Sequence, residues 1–279
     1  DPTYIGPSLV EVMVVDAETG TEYPLFDNAV QVGSLSWSPE GDRLAFLQLV
    51  GEEVRLVTWD RGSSRVRPVR LRPEREIAWG TPLEWLPDGT GIVLGVRAEG
   101  WAREARAAYE AREVGPSVVQ DSSEPFLSWD AVRNRGNLAE LALVDISSGS
   151  LRILGAEAGY QDVRVGPDGT HVTFTPAKPL QTSYERGKGT ESAYLKLDLA
   201  EGSEPVEIMK KGEERIRASW APDGSGLYFN ASMKGTQNVW FAPGHGEARQ
   251  ITEGNHMLSL SSMDEEGSFG TTISSYHEP

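Results

Sequence analysis

The sequence predicts an all-β chain of repeated four-stranded antiparallel units, the strand content of β-propeller blades, and three observations carry that expectation. A Pro-acid-Gly turn recurs along the chain, each copy is flanked by two short apolar runs, and a second hairpin follows before the next copy begins. Self-similarity at such intervals marks an architecture in which one supersecondary unit stacks on the next.

The turns come first. They read Leu35-Ser-Trp37-Ser-Pro39-Glu-Gly41, Leu83-Glu-Trp85-Leu-Pro87-Asp-Gly89, Val163-Arg-Val165-Gly-Pro167-Asp-Gly169 and Ala218-Ser-Trp220-Ala-Pro222-Asp-Gly224. A degenerate fifth, Leu260-Ser-Ser-Met263-Asp-Glu-Glu-Gly267, has lost the proline. Proline presets φ for the first corner, the acid bonds to nearby backbone, and glycine takes the positive φ that a side chain resists. Strands of opposite direction must therefore flank each turn. Arg43–Val50, Gly91–Arg97, His171–Thr175 and Gly226–Ala231 are the second strands, rich in the residues a half-buried strand favours.

A third and fourth strand follow each time. The pairs are Val54–Asp60 with Arg65–Leu71, Leu138–Asp145 with Leu151–Leu154, Tyr194–Leu199 with Pro205–Met209, and Asn238–Phe241 with Ala248–Thr252. Four whole units result, at 31–73, 79–155, 159–212 and 214–253, within one domain covering 1–279. Half-units bracket them: 1–30 supplies third and fourth strands, and 256–279 supplies first and second. The halves could join into a five-bladed ring, or the chain could be part of a larger propeller. The second reading is favoured because Asp1 and Pro279 look like arbitrary cuts. Radial stacking leaves few free edges, whereas a two-sheet sandwich does not predict a repeated turn signature.

Composition narrows the function. The net charge of −16 repels phosphate backbones and anionic lipid, which argues against nucleic acid and membrane partners. The absence of cysteine removes disulfides, thiolate metal sites and a cysteine nucleophile. No apolar run approaches the length of a membrane-spanning helix. The chain starts at Asp1 without a signal-peptide pattern, so either a leader has been removed or the chain is a piece of something longer.

The run Trp37-Ser-Pro-Glu-Gly-Asp-Arg-Leu-Ala-Phe46 resembles the repeat of TolB-like propellers and of the propellers of prolyl-oligopeptidase-like serine peptidases, as does Trp220-Ala-Pro-Asp-Gly-Ser-Gly-Leu-Tyr-Phe229. The closing run Gly246-Glu-Ala-Arg-Gln-Ile-Thr252 is similar to a strand common in both groups. Gly115-Pro-Ser-Val-Val-Gln-Asp121, with Trp129-Asp-Ala-Val-Arg133, resembles an insertion in acylaminoacyl- or glutamyl-type peptidases. Ser274-Ser-Tyr-His-Glu-Pro279 is similar to a stretch those enzymes place before their α/β-hydrolase domain. The resemblance implies a non-catalytic propeller that limits access to a hydrolase active site on a longer parent chain. It also implies a periplasmic or secreted location.

The residues themselves offer no catalytic constellation. No Gly-x-Ser-x-Gly elbow occurs, and His171, His245, His256 and His277 lack metal-ligand spacing. Gly89-Thr-Gly91 and Gly224-Ser-Gly226 do not complete a phosphate loop. The Asp-Gly turns lack the alternating carboxylates of a calcium loop, and Asn230-Ala-Ser232 matters only in a eukaryotic secretory setting. Glu52-Glu53, Glu213-Glu214 and Glu265-Glu266 read as solvated turns rather than a clamp for a peptide amino terminus. No cofactor or metal is expected.

Two insertions remain, at 99–137 and 176–192. Glu99–Glu113 reads as a short helix, with Glu99/Arg103 and Arg106/Glu110 at i,i+4 spacing. Both insertions follow the second strand of their unit, so both should emerge on one face, where loops on a rigid scaffold carry function. Arg133, Arg135, Tyr184 and Arg186 are the candidate rim facing a substrate or partner. The primary expectation is a peptidase propeller gating peptide substrates for a hydrolase domain. The alternative is a stand-alone TolB-like scaffold that binds proteins. An enzyme with its site in the propeller channel ranks third, because no polar constellation repeats.

Overall fold

The five repeat turns close with matching backbone hydrogen bonds. In the first, Gly41 N–H donates to the Ser38 carbonyl at 2.9 Å and Ser38 N–H to the Arg43 carbonyl at 2.8 Å. Leu86, Gly166 and Ala221 play the part of Ser38 in the next three, and Asp264 accepts from Gly267 in the fifth. The turn glycines have φ between 66° and 84°, which is the left-handed position that sequence reading assigned to them. The acid corner also acts locally: Asp88, Asp168 and Asp223 accept the N–H of Thr90, Thr170 and Ser225 at 2.9–3.0 Å.

The computed structural model describes residues 8–113, 135–177, 192–211, 218–243, 247–264 and 266–275. The chain falls into two units, Asp1–Tyr160 and Gln161–Pro279. In the first unit, β1 (Met13–Val15) and β2 (Glu22–Pro24) form a two-stranded ribbon. Next, β3 (Gln31–Trp37), β4 (Arg43–Val50), β5 (Glu53–Asp60) and β6 (Arg65–Pro68) make a four-stranded antiparallel sheet in chain order. The following unit continues as β7 (Glu84–Trp85), β8 (Gly91–Val96), β9 (Ala139–Asp145) and β10 (Leu151–Val165), again in order.

Alternation along β4 and β5 sends side chains to opposite faces of their sheet. Ala45, Leu47 and Leu56 join Ile92, Leu94 and Val96 in one cluster, while Leu44, Phe46, Val57 and Trp59 form another. Burying each large side chain contributes about 1.5–3 kcal/mol. Neighbouring sheets are also stitched. Arg43 lies over the Trp85 ring at 5.3 Å and donates to the Gly89 carbonyl, and Trp85 Nε1 donates to the Ser36 carbonyl.

Strand β6 is the sheet's outer edge. Val69 N–H donates to the Leu56 carbonyl, so the antiparallel alternation turns the Arg65 and Arg67 N–H groups toward β5 and the Val66 and Pro68 nitrogens outward. Proline thus stands where its missing donor breaks no ladder bond.

The sequence predicts a strand at Leu151–Leu154 and another near Val163–Val165. The structure runs one strand, β10, through the whole interval, with register shifts at Ile153/Gly155 and Gly155/Ala158 absorbing the extra residues. Its first part pairs with β9. From Gln161 on it belongs to the second unit, where its neighbour is β11 (His171–Ala177).

There, β12 (Ser192–Asp198) and β13 (Val206–Lys211) continue the order. A further sheet holds β14 (Ala218–Trp220), β15 (Gly226–Met233), β16 (Thr236–Pro243) and β17 (Arg249–Gln250). The last hairpin, β18 (Met257–Met263) and β19 (Phe269–Ser274), touches β16 through a single parallel pair, Gln237 with Met257. Asn230 supplements that seam, donating to the Leu258 carbonyl at 2.7 Å and accepting from Leu260 N–H at 2.9 Å. The Asn230 amide is thereby occupied as a structural clamp.

A second recurring device closes hairpins between third and fourth strands. Asp16, Asp60 and Asp145 each turn a carboxylate back onto their own loop. Asp145 accepts from the Ser147 hydroxyl, the Ser148 N–H and the Ser148 hydroxyl, all at 2.7 Å. These bonds, led by the Ser148 backbone, hold its carboxyl down to about 2.

Candidate functional site

The first insertion is fastened at its root. Helix α1 spans Trp101–Glu113, two residues later at its start than the composition suggests. Arg97, just past β8 and 3% exposed, stacks its guanidinium on the Trp101 ring at 3.8 Å. Its Nη1 donates to the Gly136 and Leu138 carbonyls at 2.9 and 2.6 Å. Burial pushes this guanidinium down to about 10, against the attraction of Glu76 and Glu157, so it remains charged at neutral pH. Trp101 Nε1 reaches the Arg135 carbonyl at 3.2 Å, and Arg135 Nη1 pairs with Glu104 at 2.9 Å. Both ends of the insertion are thus tied to one arginine and one tryptophan.

Beside this root lies a groove of about 920 Å³. Its walls are the β4–β5 turn and the segment that leads from β6 toward β7. That segment is tied by backbone bonds on several sides. Arg72 N–H donates to the Gly149 carbonyl at 2.7 Å, Leu151 N–H to the Arg72 carbonyl at 2.8 Å, and Arg97 N–H to the Glu76 carbonyl at 2.7 Å. Val54, Val69 and Leu71 pack against the core cluster that contains Leu56 and Ile77, giving the groove an apolar floor. Arg75 joins groove to insertion: Nη2 donates to the Arg97 carbonyl at 2.7 Å and pairs with Glu140.

The groove's charges divide into spent and open. Arg55 pairs with Glu53 at 2.5 Å, and Arg75 is committed as described. Arg70 and Arg72 on one wall, and Glu52, Glu74 and Glu76 with them along the groove, are exposed and have no ion pair among the described residues. Sequence reading missed the two arginines because it weighed the chain's charge as a whole. Residues 61–75 hold six arginines and one glutamate, a local balance of +5 inside a chain of net −16. A windowed charge profile carries that signal.

Of the four rim residues, Arg135 is described and spends its guanidinium on Glu104. Arg133, Tyr184 and Arg186 lie outside the described residues, as do His245, His277, Glu213, Glu214 and Glu265. Glu52 and Glu53 stand in the β4–β5 turn and line the groove. His171 is 3% exposed, with Nδ1 3.1 Å from Asp168 Oδ1 and its ring edge-on to Trp220 at 4.5 Å. It occupies the place in its repeat that Arg43 holds in the first, and like Arg43 it meets the tryptophan of the next repeat. Burial lowers the His171 pKa, outweighing the attraction of Asp168. His256 Nε2 lies 3.1 Å from Asn238 Oδ1, inside a network with Thr252. Among the described residues no three His, Asp or Glu side chains gather as metal ligands.

No family model matches the sequence, and no curated protein matches it. Solved structures do resemble it. The chain is similar to TolB from Acinetobacter baumannii, at 15% identity and a TM-score of 0.52 over 95% of this chain and 60% of that one. It is similar to a prolyl endopeptidase at 14% identity and a TM-score of 0.59, over 97% of this chain and 38% of that one. An oligogalacturonate lyase in complex with manganese gives 16% identity and a TM-score of 0.58, over 92% and 62%. The chain therefore spans between about a third and two thirds of the length of these structures. The fold they share with it is the β-propeller of four-stranded antiparallel blades that the repeats predict.

Proposed function

We propose that this chain is the non-catalytic propeller of a prolyl-oligopeptidase-like serine peptidase, gating and filtering peptides on their way to a hydrolase domain. The observation that carries the reading is the insertion fastened at its root by Arg97 and Trp101 beside a groove of about 920 Å³. Loops fixed at their base on a stiff scaffold are suited to sorting ligands by size. The likeness to a prolyl endopeptidase over 97% of this chain supports the same reading, and the 38% of that protein it covers leaves room for a separate catalytic domain. Arg133, Arg135, Tyr184 and Arg186 remain the proposed rim.

The second reading, a stand-alone scaffold that binds proteins, is favoured by the likeness to TolB. The coding sequence downstream of Pro279 separates the two. A Gly-x-Ser-x-Gly string within a few hundred residues, followed by Asp and His, supports the gate, and an immediate stop codon supports the scaffold. On the chain as it stands, the expected result is peptide binding without hydrolysis of peptide or ester substrates. Cleavage of a peptide or ester substrate by the pure chain sinks the non-catalytic assignment.

A further inference from the structure

We propose that the seam between β11 and β14 is a latch that acid opens: the neutral ring of His171 holds Trp220, and a proton added at Nε2 frees β14 from β11. The proposal goes beyond the gating reading and does not depend on it, since a binding scaffold would carry the same seam.

The incoming proton has one place to go. The Thr170 hydroxyl donates to Asp168 Oδ2 at 2.7 Å and stands 3.1 Å from His171 Nδ1. Asp168 Oδ1 lies 3.1 Å from the same nitrogen, and a carboxylate oxygen can only accept. Nδ1 therefore carries the hydrogen of the neutral ring, and Nε2 is the atom that takes the second one. Nε2 is buried and has no hydrogen-bond partner among the described residues. The chain closes on it at Gly166, where a Cβ would stand 2.3 Å from Nε2. The Trp220 ring meets the imidazole edge-on at 4.5 Å, and its own Nε1 is buried without a partner among the described residues. A new N–H on a charged ring thus finds no acceptor while the seam stays shut, and water supplies one when it opens.

The surrounding charges leave that cost in place. Asp168 and Asp198 favour the charged ring and Lys196 opposes it, but burial outweighs them. Lys196 and Asp198 both come from β12, 3.8 Å from each other, and β14 has no titratable side chain. The first repeat shows what a cation in this place requires. Arg43 keeps its side chain 30% exposed, lies over Trp85 and donates to the Gly89 carbonyl at 2.9 Å. The His171 side chain is 4% exposed and has no such acceptor at Nε2. One seam therefore holds a permanent cation and the other a switchable one. Elsewhere Tyr194 of β12 packs with Phe229 and Ala242, so release at Trp220 loosens β14 without parting the sheets.

The test follows the indole N–H signals of the full chain by nuclear magnetic resonance from pH 7.5 to 5.5, with the Trp220 signal assigned by its loss in Trp220→Phe. That signal is expected to move as pH falls below about 6.5. Amide hydrogen exchange, corrected for its intrinsic pH dependence, should show residues 218–222 losing protection by up to about tenfold per pH unit. Residues 43–50 should keep theirs. Both responses should vanish in His171→Phe and in His171→Gln, two replacements of different shape checked for folding by circular dichroism, and persist in His256→Gln. A Trp220 signal that stays still overturns the proposal. So does a shift with unchanged protection of 218–222, which means the ring titrates without opening. Loss of protection in step along the whole chain, or a response that survives removal of His171, overturns it as well.

Discussion

Replacing Gly149 with alanine should cost about 3 kcal/mol of stability. Gly149 has a φ of +72° in the β9–β10 turn, where a side chain costs about 1 kcal/mol or slightly more. A Cβ there would also stand 1.8 Å from the Arg70 carbonyl oxygen. The segment carrying Arg70 would have to retreat by roughly 1.5 Å to restore ordinary contact. That shift strains the bonds from Arg72 N–H to Gly149 and from Leu151 N–H to Arg72, 2.7 and 2.8 Å long, each worth about 1 kcal/mol. Gly41→Ala is the control: its φ is +68° and nothing lies within 4 Å of its added Cβ, so only the conformational cost of about 1 kcal/mol applies. Urea unfolding followed by tryptophan fluorescence, at unchanged m, reads the difference. Equal midpoints for the two variants would refute the close approach of Arg70 to Gly149.

Two titrations give further checks. Asp145 has a folded pKa of about 2, below the unfolded carboxyl near 3.9, so its contribution is complete above about pH 4 and fades as pH falls toward 2. Calorimetry from pH 5 to 2 should find a shallower loss of Tm in Asp145→Asn than in the wild type, and parallel curves would rule out the carboxylate as the cap. His171 has a folded pKa lowered from 6.5 by burial, so the unfolded chain takes up the proton first and stability falls as pH drops below about 6.5. His171→Phe, which keeps an aromatic edge toward Trp220, should flatten the thermal midpoint between pH 7.5 and 5.5. A variant as pH-sensitive as the wild type excludes His171 as the source.

The repeat was legible because its cause is local. Pro39, Glu40 and Gly41 act within one turn, so the five hairpins and the strands beside them could be read residue by residue. The closing carboxylates were half legible: Asp16, Asp60 and Asp145 stand in line, yet what they bind appears only once each loop has folded back. The site was harder to see because its parts act across the fold. Gly149 matters because of Arg70, 79 residues earlier in the chain. Arg97 matters because the chain returns to it at Gly136 and Leu138. The continuity of β10 was hidden by Gly155, which reads as a break and instead accommodates the Tyr160 hydroxyl, 2.5 Å from where its Cβ would stand.

Pro68 bears on how the molecule can meet another chain. With its nitrogen turned to the open side of β6, a newcomer trying to extend the sheet finds one rung without a donor, flanked by arginines that cannot be buried cheaply. Runaway stacking of copies through this border is therefore discouraged at high concentration.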